Sequence, residues 1–474
     1  MEQDKIFERL MQLVIRYYHD RDQGKFVDYL DPGTLRQRLG LEDERGRGDW
    51  DALFTWVEHY LAHAVNTSNP AYLNRMWAGA NLPSVVGEVI AAVTNTSACT
   101  FETAPVSTLM EKYLLQAMLD LVGFQGGCGQ MTTGSSNANM LAMMAARNGL
   151  RPEVKQQGLF GGQKLFALVN ADAHYSMDRA ANILGLGTSH LLKIPVDGHG
   201  RMRIDALEER LAEVVAGGGK PFFVVATAGT TVRGGYDLLE PLLALRERYR
   251  FWLHVDGAWG GAVIFSDRLR RQFLPALEQA DSFTLDFHKM LGTALMCNVL
   301  LFNRRPSFLR EVCSAGDESY IFRQGEDGEI RDLGTLSLQC GRRVDSLKWF
   351  LDWKFYGREG LAERVEHYLE LCRYAEDQVG RLPELEMVVP RESFNVCFRF
   401  RPPEGIPAEP FNKALRERMH RSGRALVGTG YVNGQLVLRL LITNINVGKP
   451  EIDRFFQSVI ATGRELLAER SGRP

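Results

Sequence analysis

Residues 221–261 read PFFVVATAGTTVRGGYDLLEPLLALRERYRFWLHVDGAWGG. Two apolar runs, FFVVATA and FWLHVD, flank LLEPLLALRERY, whose leucines recur at helical spacing. Neither run alternates polar with apolar residues, so each predicts a strand buried on both faces, the pattern of a parallel sheet covered by helices. Ligands of such sheets sit beyond the C-terminal strand ends. Here those ends carry Thr227, Thr230, Thr231 and Asp237 after the first strand, and Asp256 after the second.

The alternation continues outward from this unit. VSTLMEKYLLQAMLDLVGF, SSNANMLAMMAARNGL and DALEERLAEVVAGG read as helices, and KLFALVN, LLKIPV, SFTLD and NVLLFN as buried strands. The expectation is an α/β domain over residues 66–345, a mainly parallel central sheet with helices on both faces. Upstream, residues 5–20 and 51–64 carry helical spacing on either side of a polar loop, GLEDERGRGD. Residues 1–65 thus predict a helical N-terminal arm, too small for its own core and suited to packing on a second subunit. Two helices, about 344–357 and 360–379, lead into a smaller α+β domain assigned to residues 346–474, with strands NVCFRF and QLVLRLLI.

At 474 residues, two or three structural regions are expected. Net charge is −2, so no basic field favours nucleic acid or an anionic membrane. No apolar run approaches the roughly 18–20 residues of a transmembrane helix, and MEQDKIFERL has no apolar leader. The seven cysteines are scattered, without a CxxC pair. That spacing predicts free thiols in a cytoplasmic enzyme, and neither a metal site nor a disulfide framework.

Residues 283–292, FTLDFHKMLG, lodge Lys289 among Phe287, Met290 and Leu291. A lysine there either snorkels from a strand end or is held for the chemistry of its amine. Gly134, Ser135, Ser136 and Asn137 open a helix, and His174 follows another strand. Taken singly, these are an N-cap and a structural histidine. Together with Asp256 and Lys289 they match a cofactor carrying a phosphate, a basic ring nitrogen and an aldehyde. The phosphate suits the helix start, the nitrogen a buried carboxylate, and the aldehyde a lysine. That cofactor is pyridoxal 5′-phosphate.

GSSNANM, ADAHYS, ATAGTT, HVDGAWGG, DFHKML and LQCGRRVD resemble, in order and spacing, the group II pyridoxal-phosphate-dependent amino-acid decarboxylases. NTSACTFETAP and LQCGRRVDSLKWFLDWK are similar to stretches of the glutamate and cysteine-sulfinate decarboxylases among them, and the likeness runs from about residue 65 to the C-terminus. The resemblance implies the type I (aspartate aminotransferase-like) fold of pyridoxal-phosphate enzymes and a homodimer with its site at the subunit interface. It implies decarboxylation of a small amino-acid substrate through an external aldimine and a quinonoid. Residue by residue, Lys289 matches the lysine of the internal aldimine, Asp256 the partner of the ring nitrogen, and His174 the histidine stacked on the ring. Ala258 would line the opposite face, with Thr231 at a ring-contact position. Ser135, Ser136 and His288, with Asn137 on the same helix start, fall at the phosphate, and Arg439 matches an arginine that binds a substrate carboxylate.

Three departures bear on the outcome. The family's mobile loop carries a tyrosine thought to protonate the carbanion; the corresponding YIFRQGEDGEIRDLGT has Tyr320 before the loop and none within it. Glutamate decarboxylases have glutamine and serine where LNRMWAG has Arg75 and Trp77, and an aromatic residue where Cys99 stands. Arg75 argues for an acidic substrate: glutamate, aspartate, cysteine sulfinate or cysteate. The alternatives are a decarboxylase of another amino acid, an aldehyde synthase or transaminase permitted by the missing tyrosine, and a non-catalytic homologue. Asp286 has no chemistry in this reading and is taken as structural.

Overall fold

The structure is a computed structural model that describes residues 3–20, 24–41, 48–314, 316–323 and 330–470. The chain divides into two compact units. One comprises Met1–Gly79, Leu371–Pro390 and Val396–Pro474, and the other Ala80–Glu370 and Arg391–Asn395. Among the described residues, no helix is long and apolar enough to cross a membrane.

In the smaller unit, helices Gln3–Asp20 and Trp50–His63 form where the spacing predicts them. Arg9 ties them together, pairing with Asp51 at 2.5 Å and lying 4.4 Å above the Phe54 ring. A helix at Pro32–Leu39 was not expected. Its signal is the DPGT start, where the Asp31 side chain accepts from Gly33 N (3.0 Å) and Thr34 N (3.1 Å). Residues 42–47 of the expected loop lie outside the described residues. This unit also holds a short strand β1 (Tyr72–Leu73).

The larger unit carries β2 (Cys128–Thr132), β3 (Leu165–Asn170), β4 (Leu191–Ile194), β5 (Lys220–Thr227), β6 (Trp252–Asp256), β7 (Ser282–Asp286) and β8 (Asn298–Phe302). They form one sheet in the order β2-β8-β7-β6-β5-β3-β4. The run from β7 to β4 is parallel, as expected, while β8 is antiparallel to both of its neighbours. Phe223, Leu253, Val255, Phe283 and Leu285 are fully buried along the central strands, each contributing about 1.5–3 kcal/mol. The edge strand β2 escaped the sequence reading because CGQMT has almost no apolar signal. Gly129 is needed there, since a Cβ would come within 2.8 Å of the Leu300 carbonyl oxygen.

The helix Asp345–Arg381 is interrupted at Gly357 (φ 63, ψ 178), between the two helices expected from sequence. Only glycine takes that conformation without strain. The smaller unit then resumes with β9 (Leu385–Met387), β10 (Asn395–Phe400), β11 (Leu426–Val432) and β12 (Gln435–Leu441). With β1 they make a second sheet in the order β1-β11-β12-β10-β9.

Candidate active site

Three neighbouring strands of the larger sheet end in polar residues, β7 running two residues beyond the level of the other two. Thr227 closes β5 opposite Asp256 of β6, Asp256 lies opposite Thr284 of β7, and Asp286 closes β7 opposite Asn298 of β8. Sheet register, rather than sequence distance, gathers these groups.

Asp286 is the hub of one half. It is 2% exposed, and Lys289, one turn later, sets its Nζ 2.9 Å from Oδ2. Oδ1 accepts the backbone N–H of Ser135 (3.0 Å) and Nδ2 of Asn298 (2.8 Å). His288 stands 3.8 Å from Oδ2, its ring pinned by Nδ1 to the Cys297 backbone, 2.7 Å from the oxygen and 3.1 Å from the nitrogen. Burial alone would raise the Asp286 pKa, but Lys289 and His288 outweigh it and hold the carboxyl below its usual range. The same β7 end thus orders the start of helix Ser135–Leu150, the His288 ring and the Lys289 amine.

Asp256 is supported differently. Oδ1 accepts from Ala258 N (3.1 Å) and Oδ2 from Asn139 Nδ2 (2.9 Å). A carboxylate only accepts, so the Asn139 NH2 faces Asp256 and its Oδ1 faces His254 Nε2 at 3.0 Å. That oxygen needs a donor, which places the imidazole proton on Nε2. Nδ1 then accepts from the Ser282 hydroxyl (2.8 Å), whose oxygen in turn accepts Trp252 Nε1–H (2.8 Å). With a neutral ring, the polarity along Trp252–Ser282–His254–Asn139–Asp256 follows from end to end. Burial accordingly pulls His254 down to about 4.

His174 joins the two halves. Burial lowers its pKa; Asp256 and Asp286 oppose that while Lys289 reinforces it, so His174 lies within electrostatic reach of all three. Its Nδ1 accepts from Ser176 N at 3.3 Å. Ser135 is buried, Asn137 half-buried and Ser136 exposed, all on the first turn of one helix. Ala258 is half-buried directly after Asp256. Thr231 lies four residues beyond the β5 end, its carbonyl accepting from Asn395 Nδ2 (3.1 Å).

Cys99 belongs to the larger unit, 3.8 Å from Cys340 between the sulfurs. Arg75, Trp77 and Arg439 belong to the smaller unit. There Trp77 packs at 6.0 Å from the Tyr72 ring, and buried Arg439 donates from Nη2 to the Asn74 carbonyl at 3.4 Å. Of the loop segment expected to lack a tyrosine, residues 324–329 lie outside the described residues.

Comparison with known proteins places the chain in a family. Residues 32–401 match the model of the pyridoxal-dependent decarboxylase conserved domain. The chain belongs to the pyridoxal-dependent decarboxylase family. It is 32% identical to the mouse acidic amino acid decarboxylase GADL1 over 93% of this chain and 82% of that protein. It is 33% identical to mouse cysteine sulfinic acid decarboxylase, over 93% and 92%. The crystal structure of mouse CSAD in apo form matches with a TM-score of 0.92 at 30% identity, covering 97% of this chain and 98% of that one. The protein is a carboxy-lyase of this family with the type I fold and pyridoxal 5′-phosphate as its cofactor.

The residues present in this decarboxylase fit that group. Among the described residues the Thr227 hydroxyl, buried beside Asp256, finds no partner, as a group facing a ligand would. Gly134 (φ +110) leaves the helix start bare where a Cβ would strike Met296 Cε at 2.4 Å. Sequence reasoning missed Asn139, His254, Asn298 and the centrality of Asp286. Asn139 follows Ser135 by four residues and so shares its helix face, which was the available signal.

Proposed function

We propose that this decarboxylase acts on an acidic L-amino acid (glutamate, aspartate, cysteine sulfinate or cysteate), releasing CO2 and the corresponding amine. Pyridoxal phosphate, once bound, supplies an electron-poor ring that takes up the electrons of the breaking carbon–carboxylate bond. Lys289 would hold the cofactor through its amine, and Asp256, which accepts from neutral donors, would pair with the ring nitrogen. His174 covers one ring face and Ala258 the other, with Thr231 at the ring edge. Ser135, Ser136, Asn137 and His288 receive the phosphate. Arg439 grips a substrate carboxylate and Arg75 the side-chain anion, while Trp77 and Cys99 shape the pocket.

One observation carries the acidic preference. The pairings Tyr72↔Leu426 and Gly428↔Arg439 set Arg439 beside Asn74, adjacent in sequence to Arg75. Burial pulls the Arg439 pKa down, with Cys397 opposing and the nearby Arg75 charge adding to the fall; Arg75 bears in the same direction on half-buried Arg416, which Glu417 at 3.5 Å partly compensates. Guanidinium groups gathered in this way are relieved by an anion, which a fork binds through two hydrogen bonds. The names of the relatives, acidic amino acid decarboxylase and cysteine sulfinic acid decarboxylase, support the same substrate class. We further take the protein to be a cytoplasmic homodimer, with the arm of residues 1–65 packing on the partner subunit; light scattering on the purified protein tests the assembly.

The deciding experiment incubates cofactor-loaded protein with each of the four acids and measures CO2 and amine. The expected result is stoichiometric release of both from at least one acid. No CO2 from any of them sinks the substrate assignment, and release of peroxide and ammonia would mark the aldehyde-synthase outcome instead.

A further inference from the structure

Cys340 is the one exposed cysteine of the seven. Its sulfur lies 3.8 Å from that of Cys99, which is 5% exposed. The two stand 241 residues apart in sequence, so the fold alone brings them together. Their backbones are clamped on both sides of the sulfur pair. Ala98 N–H donates to the Arg342 carbonyl (2.9 Å), Arg342 Nη1 donates to the Ala98 carbonyl (2.8 Å), and Gly334 N–H donates to the Cys99 carbonyl (2.8 Å). Arg342 is itself anchored by Glu111 at 2.5 Å. Between the clamps Gly341 faces open space, where a Cβ would meet nothing within 4 Å. Bringing the sulfurs to bonding distance, about 2.05 Å, therefore takes a rotamer change and a small shift at residues 339–341.

We propose that Cys99 and Cys340 form a reversible dithiol–disulfide site, oxidised by low-molecular-weight disulfides such as that of glutathione. The Cys340 thiolate attacks one sulfur of the small disulfide and releases the first small thiolate. The Cys99 thiol loses its proton to solvent, its sulfur attacks Cys340 Sγ, and the second small thiolate leaves. Two protein thiols are oxidised by two electrons, and one small disulfide becomes two small thiols. The order follows from access. Burial and the neighbouring Cys340 push the Cys99 thiol up to about 11, while Arg342 pulls it down, so the exposed partner reacts first and held proximity completes the bond.

The bond would fasten a seam of the larger unit. Asp332 accepts Phe101 N–H on Oδ1 and Arg323 N–H on Oδ2, both at 2.8 Å, so residues 330–340 already bridge the Cys99 turn and residues 316–323. Linking Cys340 to Cys99 locks that bridge. The consequence for turnover rests on the decarboxylase reading above, whereas the bond itself does not.

The test treats cofactor-loaded protein with oxidised glutathione and maps the peptides by mass spectrometry without reduction. A linked Cys99–Cys340 peptide pair, 2 Da lighter than the sum of its reduced peptides, is expected, vanishing with dithiothreitol and absent from Cys340→Ser. Peptides that stay unlinked, or Cys340 found only as a mixed disulfide with glutathione, overturn the proposal. Oxidation should also slow CO2 release several-fold in the wild type and leave Cys340→Ser unchanged. A linked protein with undiminished turnover overturns the regulatory part alone, and inactivity of even the reduced protein indicts the substrate assignment instead.

Discussion

Asp256 and Asp286 end adjacent parallel strands, both buried, yet the protein treats them in opposite ways. Asp286 is compensated by charge, with Lys289 on one oxygen and His288 close by. Asp256 is met only by neutral donors, a backbone N–H and the Asn139 amide, and no cationic side chain among the described residues pairs with it. A buried anion held without a counter-charge is costly unless something arrives to neutralise it. The difference fits the proposed division of labour, in which Asp256 meets the ring nitrogen of the cofactor, while Asp286 holds Lys289, Ser135 and Asn298 in place.

The largest effect should come from Lys289→Ala. Turnover is abolished, and borohydride, which fixes the cofactor on the wild type, should leave none bound to the variant. Full activity in this variant would overturn the reading of the site. The same substitution leaves Asp286 without its principal cation, so the cofactor-free protein should also lose stability, and adding Asp286→Asn should restore part of the loss. A double variant no more stable than Lys289→Ala would show that the pair is not coupled.

Next come the two aspartates themselves. In the cofactor-free protein Asp286→Asn breaks a buried pair and should cost roughly 3–5 kcal/mol of unfolding free energy, read by denaturant titration. Asp256→Asn should be the reverse: a loss on the order of 10²–10³ in kcat, the scale of removing one preorganised electrostatic partner, with a much smaller change in stability. If the two variants destabilise equally, the contrast drawn above is wrong.

This contrast was only half legible in the sequence. Asp256 and Lys289 could be read because each follows an apolar run whose lack of alternation marks a buried parallel strand, and such strands point their C-terminal ends at ligands. Asp286 could not, since an aspartate closing a strand three residues before a lysine is indistinguishable from a turn cap. Its partners Ser135 and Asn298 reach it through sheet register and a helix start. Asn139 was hidden because asparagine near a helix start reads as capping, and His254 because a histidine within a strand looks like any core residue. Helices Gln3–Asp20 and Trp50–His63 were legible from periodicity, and the central strands from apolar runs without alternation. Strand β2 was not, because its glycine, required by the tight approach of β8, and its polar residues leave a buried strand with little apolar signal.

The smallest effect probes the relay behind Asp256. His254 has a folded pKa of about 4 against roughly 6.5 in the unfolded chain, so between those values the unfolded chain binds the extra proton. Stability from this group is therefore full above the upper value and falls as pH drops through the window, by about 3 kcal/mol in all. Asp237 and Asp352, both raised by burial to about 6, act with the opposite sign over part of the same range, since the folded state binds their protons more tightly. A single pH–stability curve would mix these contributions. The difference between wild type and His254→Gln removes the aspartates, because both proteins carry them. That difference should shrink steadily as pH falls from about 6.5 to about 4. A difference that stays flat across the window would mean that His254 is already charged in the fold. The Ser282 hydroxyl would then accept from Nδ1–H with Asn139 unturned, and Asp256 would have, through Asn139, the counter-charge that the comparison with Asp286 denies it.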